Sequence, residues 1–160
     1  MFTKLTALAA LSVAAMTSAA SAGPAAVDGT WRSEDGEGIV EIAACAADAT
    51  AKCGRIVWIK SPADDKGKPV RDAKNPDAAL QKRPICGIEV VSGMKPVAEG
   101  AFEGGMLYDP EEGKSYKGTM KLDGAALVVT GYVEAPILGK LSDSEKWTRV
   151  TDPFERCAVK

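Results

Sequence analysis

Polar and apolar side chains alternate along residues 115–122, which is the pattern of a β-strand with one buried and one solvated face. An Asp-Gly pair, Asp123 and Gly124, separates this segment from residues 126–133, so the two segments are predicted to form a β-hairpin. The apolar face of the first strand is Tyr116, Gly118, Met120 and Leu122, and its polar face is Lys117, Thr119 and Lys121.

Short segments of this kind, separated by clusters of Gly, Pro, Asp and Asn, follow one another from Gly29 onward. Helix signals are nearly absent: only residues 76–81, with Asn75 as the cap, predict a single helical turn. About eight strands joined mostly by hairpins favour an all-β fold, a single up-and-down antiparallel β-barrel with one long loop at residues 61–84. The predicted strands are residues 29–33, 38–43, 54–60, 85–91, 101–108, 115–122, 126–133 and 146–150.

Two of these strands, residues 54–60 and 126–133, are apolar on both faces. In the first of them, Ile56 and Trp58 are predicted to share one face. A strand with two apolar faces needs its outer face covered. We expect the long loop and the C-terminal tail to cover it, which leaves the protein a monomer; the alternative is that this face docks a partner or a second copy.

The N-terminal residues 1–22 have the features of a removable signal peptide. Lys4 precedes an apolar run that is too short to span a bilayer, and Ala20-Ser21-Ala22 provides a cleavage site. We therefore expect export to the periplasm without a membrane anchor, and one mature domain at residues 23–160. The chain has 20 Lys and Arg against 22 Asp and Glu; losing Lys4 leaves 19 against 22, a net charge of −3. Such a balance offers no basic patch for nucleic acid.

The sequence contains no histidine, which excludes Ser-His-Asp and Cys-His catalysis and His-ligated zinc or haem. It contains four cysteines, and an even number in an oxidising compartment favours disulfides. Cys45 and Cys53 flank a short stretch that looks like a hairpin loop, so we pair them, and by elimination we pair Cys86 with Cys157. Because neither C-x-x-C nor a calcium-binding spacing occurs, no metal or cofactor is predicted.

Gly29 and Trp31 open the first predicted strand, and Trp147 and Arg149 lie in the last. This combination of G-x-W and W-x-R resembles the signature of the calycin barrels, which include the lipocalins and the fatty-acid-binding proteins. The resemblance implies that the first-strand Trp plugs one end of the barrel. It also implies that the last-strand Arg packs over the Trp ring, where the cation and the ring face attract each other.

Further motifs, in their order along the chain, resemble the bacterial exported family known as domain of unknown function 2147. The resemblance covers essentially the whole mature chain and implies a calycin-like barrel in an exported protein, with no established activity or ligand. The chain departs from the family pattern at Phe102 and Cys86, and residues 138–146 look longer than the link expected before the last strand. The motifs are Cys53-Gly54-Arg55-Ile56-Val57-Trp58, Asp72-Ala73-Lys74-Asn75-Pro76-Asp77, Arg83-Pro84, Gly104-Gly105-Met106-Leu107-Tyr108-Asp109-Pro110, Gly113-Lys114-Ser115-Tyr116 and Gly131-Tyr132.

The polar candidates for a ligand site are three residues of the long loop, because recognition residues gather on the loops of rigid barrels. These residues are Asp72, Asn75 and Arg83. The alternative is that the first two shape a turn while the Arg pairs with a carboxylate and closes the loop. If the barrel is hollow, we expect aromatic and soft apolar residues to line it; if it is solid, the same residues fill the core. They are Trp58, Tyr108, Tyr116 and Met120.

Two function classes follow from the sequence. The first is binding of a small apolar or amphipathic molecule by a hollow barrel, and the alternative is an envelope protein–protein interaction or assembly module with a filled barrel. No enzyme is predicted: of the four acidic residues that could act as a pair without histidine, the last three surround a turn, where carboxylates are normally solvated. The four are Glu103, Asp109, Glu111 and Glu112.

Overall fold

The computed structural model describes residues 27–157, which form a closed barrel of eight antiparallel strands. Each strand pairs with its neighbours in the sequence, and the last strand returns to the first. The prediction of an all-β up-and-down barrel is confirmed, and the signal peptide predicted at residues 1–22 lies outside the described residues. The strands are β1 (Gly29–Arg32), β2 (Gly38–Ala44), β3 (Lys52–Ile59), β4 (Glu89–Ala98), β5 (Ala101–Asp109), β6 (Lys114–Asp123), β7 (Ala126–Ala135) and β8 (Gly139–Arg149).

The hairpin of β6 and β7 has the predicted register. Asp123 lies opposite Ala126, so only two residues form the turn. Of the apolar face of β6, Gly118 and Met120 are buried, whereas Lys117 and Lys121 on the other face are exposed. The alternation in the sequence therefore predicted both the strand and its orientation correctly.

One end of the barrel is closed by a packed core around Trp31, which is fully buried. The Arg149 guanidinium lies 4.1 Å from the centre of the Trp31 ring, and the indole Nε1 donates a hydrogen bond to the Val27 carbonyl at 2.8 Å. Gly29 leaves room for this arginine, because a Cβ atom there would come within 2.6 Å of its Nη1. The packing expected for the G-x-W and W-x-R pair is confirmed.

A β-bulge in β3 corrects one prediction. Val40 of β2 lies opposite Ile56, but its neighbour Ile39 lies opposite Trp58, so Val57 is an extra residue. Such a bulge changes which residues point inward. Ile56 packs in the core, whereas Trp58 lies outside, where the Arg32 guanidinium is 4.8 Å from its ring centre. The prediction that Ile56 and Trp58 share a face is therefore wrong.

The C-terminal tail, residues 150–157, covers the outer face of β2 and β3. The Cys157 amide donates to the Val57 carbonyl at 2.9 Å, and Arg156 forms an ion pair with Glu41 of β2. Ile39, which points outward between them, is fully buried. The tail thus covers the outer face of β3, one of the two strands with two apolar faces, as expected from the sequence. The covering of residues 126–133 stays a prediction.

Two further boundaries differ from the prediction. β8 begins at Gly139 rather than at residue 146, and ten of its residues pair with β7, so residues 138–146 are mainly strand and not a link. Their inner face lines an open cavity and is partly polar, which removes the apolar signal of a strand. Residues 76–81 form hydrogen-bonded turns instead of a helical turn, and no residue within 27–157 is helical.

Both predicted disulfides are present, Cys45–Cys53 and Cys86–Cys157. The first closes the hairpin between β2 and β3, and the second fastens the C-terminal tail to the residues that precede β4. Two such bridges indicate an oxidising environment. Within residues 27–157 the structure contains no helix with the length and apolar character needed to cross a membrane.

Candidate functional site

The barrel is hollow at the end opposite Trp31, where it holds a cavity of about 860 Å³. Because the strands alternate in direction, this end collects the connections β1–β2, β3–β4, β5–β6 and β7–β8, and we refer to it as the mouth. The inner wall of the cavity is largely apolar. It includes Val40, Ile59, Val90, Leu107, Val129 and Trp147.

The four candidate lining residues separate into two pairs. Tyr108 and Tyr116 line the cavity. Met120 lies instead in the packed core of the closed end, 1 % exposed, and Trp58 lies on the outside of the barrel because of the bulge in β3. Only the two tyrosines are therefore placed where a bound molecule would touch them.

The long loop is tied to the barrel by a buried carboxylate, Asp72, which has no exposed surface. The Tyr108 hydroxyl of β5 donates to Asp72 Oδ1 at 2.5 Å, and the Asn75 amide donates to Oδ2 at 2.8 Å. Arg83 donates to the same Oδ2 from Nε at 2.9 Å and from Nη2 at 2.8 Å. Asp72, Asn75 and Arg83 therefore do not line the cavity, and their contacts favour the alternative in which they close the loop.

The electrostatics of this cluster follow from its hydrogen bonds. Burial alone would raise the pKa of Asp72, but the hydrogen bonds from Tyr108, Asn75 and Arg83 and the charge of Arg83 outweigh it and lower that pKa. The pKa of Tyr108 is raised by burial and by its hydrogen bond to Asp72. The cluster is thus a charged carboxylate with neutral and cationic donors around it, which suits a structural anchor for the loop.

The ends of this anchored loop form part of the cavity wall. Val70 and Ile85, which are joined by a hydrogen bond from the Ile85 amide to the Val70 carbonyl, both line the cavity. The Asp72 cluster therefore holds two apolar residues in place at the mouth. The cluster affects the cavity by positioning these two wall residues, and it does not itself contact a bound molecule.

Carboxylates are the second feature of the cavity. Seven acidic residues line it and no Lys or Arg does, among the residues that the structure describes. Sequence reasoning missed the two on β8, Asp143 and Glu145, because residues 138–146 were interpreted as a link. The remaining signal was weak: Leu141 and Trp147 are an even number of residues apart, which puts them on one strand face together with residues 143 and 145. The seven are Asp35, Glu37, Asp109, Glu111, Glu112, Asp143 and Glu145.

The barrel has a short seam between β1 and β8. Since β1 has only four residues, it pairs with β8 at two positions, Trp31 with Arg149 and Arg32 with Thr148. Above them, the Glu34 side chain accepts a hydrogen bond from the Lys146 amide at 2.7 Å. The rest of β8 has a strand neighbour on one side only, and its inward side chains other than Trp147, such as Leu141 at 48 %, are exposed.

A closed eight-stranded up-and-down barrel with an apolar cavity at one end defines a lipocalin-like protein. The chain belongs to the family described as uncharacterized proteins conserved in bacteria, DUF2147, whose model matches residues 29–149. This confirms the resemblance seen in the sequence. A search of curated proteins gave no match.

Among solved structures, the barrel is similar to one from Helicobacter pylori, described as "Protein HP1028 from the human pathogen Helicobacter pylori belongs to the lipocalin family". The TM-score is 0.64 at 19 % sequence identity, and the similarity covers 79 % of this chain and 84 % of that one. At this identity the comparison establishes a shared fold.

Proposed function

We propose that the protein is a non-enzymatic binding protein of the bacterial periplasm that holds one small apolar or amphipathic molecule in its barrel. The observation that carries the proposal is the cavity of about 860 Å³ above an apolar floor. Pockets for small molecules usually measure roughly 300–1,000 Å³ and are mostly apolar with a few polar groups. The lipocalin-like fold and the two disulfides are compatible with this function and location.

The absence of histidine from the whole sequence supports a binding role over catalysis. The one fully buried carboxylate of the described residues, Asp72, is occupied by three donors, so it has no face free for a substrate. The carboxylates at the mouth lie on turns and on the inner face of β8, where those on the turns are held by local hydrogen bonds and ion pairs.

The first test measures whether the protein purifies with a bound molecule. Protein prepared with its own leader and never unfolded is weighed by native and then by denaturing mass spectrometry. We expect a native mass that exceeds the chain mass by one discrete small molecule, which disappears on denaturation. The neutral dye N-phenyl-1-naphthylamine then measures binding by fluorescence after that molecule has been extracted.

A variant connects the binding to the cavity. Gly131 of β7 lines the cavity, and a Cβ atom there would meet only ordinary contacts, the nearest at 3.5 Å on Tyr116, so Gly131→Phe places a ring in the open space. Its neighbour Thr130 is not among the lining residues, and Thr130→Phe serves as the matched control. We expect saturable dye binding that Gly131→Phe weakens about tenfold or more and Thr130→Phe leaves unchanged. Equal binding by both variants would contradict the proposal.

A second candidate function, docking to an envelope protein, is favoured by one observation. The turn between β7 and β8 exposes Ile137 at 95 % and Leu138 at 73 %, and an exposed apolar tip of this kind suits a protein contact. Crosslinking from position 137 in cell envelopes tests it. A specific crosslinked adduct would support docking if the double substitution Ile137→Ser with Leu138→Ser abolishes it. If no adduct forms, the protein remains a binding protein alone.

A further inference from the structure

We infer that the molecule held in the barrel is a cationic amphiphile: an alkylammonium compound whose chain occupies the apolar cavity and whose positive group lies against Asp143 and Glu145. This inference rests on the proposed binding function and names the chemical class of its ligand. Three features support it: the charge of the cavity wall, the position of two carboxylates on β8 and the aromatic floor of the cavity.

The charge of the cavity differs from that of the molecule. The chain as a whole is nearly balanced, with 20 basic and 22 acidic residues. Of the residues that line the cavity, seven are acidic and none is Lys or Arg, within the described part of the chain. The cavity therefore concentrates negative potential, and its partly enclosed walls strengthen the field that a bound ion would experience.

Four of the seven carboxylates have protein partners that fix them at the turns of the mouth. Glu37 pairs with Lys60 at 2.6 Å, and Glu112 pairs with Lys114 at 3.4 Å and accepts the Tyr116 hydroxyl. Asp35 and Asp109 accept backbone amides in their own turns. Glu111 belongs to the same turn as Asp109 and is exposed. These groups contribute to the potential at the mouth, but their positions are explained by local structure.

Asp143 and Glu145 lie on a strand instead of a turn, and each accepts one hydrogen bond, from the Ser144 amide at 2.9 Å and from the Trp147 indole at 2.8 Å. They are two residues apart on the inner face of β8, opposite Gly131 and Val129 of β7, and Gly131 leaves open space beside them. Neither forms an ion pair with any residue in the range 27–157. Each of the two inward carboxylates thus has one hydrogen bond and no ion pair, so the described residues leave its negative charge unneutralised and able to attract a cation that enters with the ligand.

The outward residues of β8 carry the opposite charge. The Lys140 ammonium lies 3.7 Å from the centre of the Tyr132 ring, and Lys146 forms an ion pair with Asp123 at 3.5 Å. Both lysines are engaged on the outer face, so along residues 140–146 β8 places its acidic side chains in the cavity and its basic ones outside. This sorting favours a cationic ligand and disfavours an anionic one such as a fatty acid.

The floor of the cavity suits the same ligand. Trp147 follows Glu145 on the inner face, and its Nε1 donates to Glu145 Oε2 at 2.8 Å, which fixes the carboxylate beside the ring. Quaternary ammonium groups bind well where aromatic faces and carboxylates meet. A metal cation fits less well, because no group of three or more Asp, Glu, Cys or His in the described residues converges to hold one, and calcium takes six to eight oxygens.

The test compares three probes by displacement or direct binding at low salt, all below their micelle concentrations. They are dodecyltrimethylammonium, dodecanoate, which has a similar chain and the opposite charge, and neutral N-phenyl-1-naphthylamine. We expect the cation to bind about tenfold or more tightly than dodecanoate, in line with the strength of charge-assisted contacts. We also expect added salt to reduce this preference.

Substitutions test whether Asp143 and Glu145 are the carboxylates that bind the positive group of the ligand. In Asp143→Asn with Glu145→Gln we expect affinity for dodecyltrimethylammonium to fall about tenfold, while binding of the neutral dye stays within about twofold. The matched control, Glu103→Gln with Glu134→Gln, removes two carboxylates that do not line the cavity and leaves the cation affinity unchanged. Circular dichroism checks that each variant is folded. If the variant with both Asp143→Asn and Glu145→Gln is not folded, the two single substitutions are measured instead.

The outcomes separate the two proposals. If the dye binds but dodecanoate binds as tightly as the cation, or the β8 variants bind the cation like the original protein, the charge assignment is overturned and the binding function stands. If none of the three probes, the neutral dye included, binds saturably, the binding function fails and the charge assignment fails with it.

Discussion

At the scale of single residues, the tightest arrangement in the molecule is the carboxylate of Asp72. A buried charge is costly unless every one of its lone pairs is satisfied, and here Tyr108, Asn75 and Arg83 satisfy them. Removing the charge leaves Arg83, which is 34 % exposed, without its partner. The loop over the mouth thus depends on one carboxyl group.

Asp72→Asn is expected to lower the free energy of unfolding at pH 7 by about 3 kcal/mol, since it breaks a buried ion pair but keeps the shape of the side chain. Because folding lowers the pKa of Asp72 below 3.8, its charge stabilises the protein above that pH, and this contribution is lost as the pH falls through the folded pKa. The difference in free energy of unfolding between the original protein and Asp72→Asn, measured by urea titration, should therefore be smaller at pH 3 than at pH 7. Exposed Asp152→Asn is the control, and a difference that does not change with pH would contradict the expectation.

A second residue-scale prediction concerns Tyr116. Its hydrogen bond to Glu112, together with burial and nearby negative charge, raises the pKa of the phenol to about 12. Glu112→Gln is expected to return this pKa towards 10, whereas Glu111→Gln leaves it in place. Ultraviolet titration of tyrosinate measures the change: in Glu112→Gln, one of the three tyrosines should ionise at a lower pH than in the original protein. Identical titration curves for both variants would show that Glu112 does not control this group.

At the scale of elements, the turn between β5 and β6 packs directly against the long loop. Gly113 in this turn has a φ of +67°, and a Cβ atom there would lie 1.9 Å from the Lys74 carbonyl oxygen. No side chain fits at that distance, so the backbone would have to move. The contact joins the β5–β6 hairpin to the loop independently of Asp72.

Comparing Gly113→Ala with Gly124→Ala separates the effect of the close approach between Gly113 and Lys74 from the effect of the left-handed backbone. Both glycines have a left-handed φ, but a Cβ atom at Gly124 meets nothing within 4 Å. Each substitution should cost about 1–2 kcal/mol for the backbone conformation. Gly113→Ala should cost about 1–3 kcal/mol more, because it displaces the Lys74 backbone. Chemical denaturation of the two variants measures the difference, and equal losses would refute a tight contact.

The strands show where sequence patterns succeed. In β6, regular alternation has no interruption, so strand, orientation and turn were all predictable. In β3, one extra residue, Val57, reverses the direction of everything after it, and this depends on pairing with β2 and not on local sequence. In β8, the inner face of an open cavity is acidic, so the usual apolar signal of a strand is missing.

The candidate site divides in the same way. Tyr108 was predictable as an aromatic strand residue, but its bond to Asp72 spans 36 residues and no local pattern encodes it. Asp72, Asn75 and Arg83 were found as a group because Asx residues beside Pro are recognisable, although their role is to anchor the loop. Asp143 and Glu145 were missed because their significance comes from facing a cavity.

At the scale of the whole molecule, the two disulfides enclose very different lengths of chain. Cys45–Cys53 spans 8 residues and Cys86–Cys157 spans 71. On a loop-entropy basis, replacing the first pair by alanine should cost roughly 2.5 kcal/mol and replacing the second roughly 4.5 kcal/mol. Urea denaturation of the two double variants tests the order, which would be wrong if the short bridge proved the more important.

The short seam has a consequence for the route by which the barrel is made. Seven of the eight strand pairings join neighbours in the sequence, whereas the bond from Arg149 to the Asp28 carbonyl joins residues 121 apart. A contact between distant residues forms late in folding, because closing a long loop costs more chain entropy. We therefore expect the consecutive hairpins to form before β8 pairs with β1. Pulsed hydrogen exchange during refolding should then protect the Val150 amide, which donates to the Thr30 carbonyl across the seam, last. An intact Cys86–Cys157 bridge holds the chain end near β3 throughout, so it shortens the search by which these hairpins become a ring.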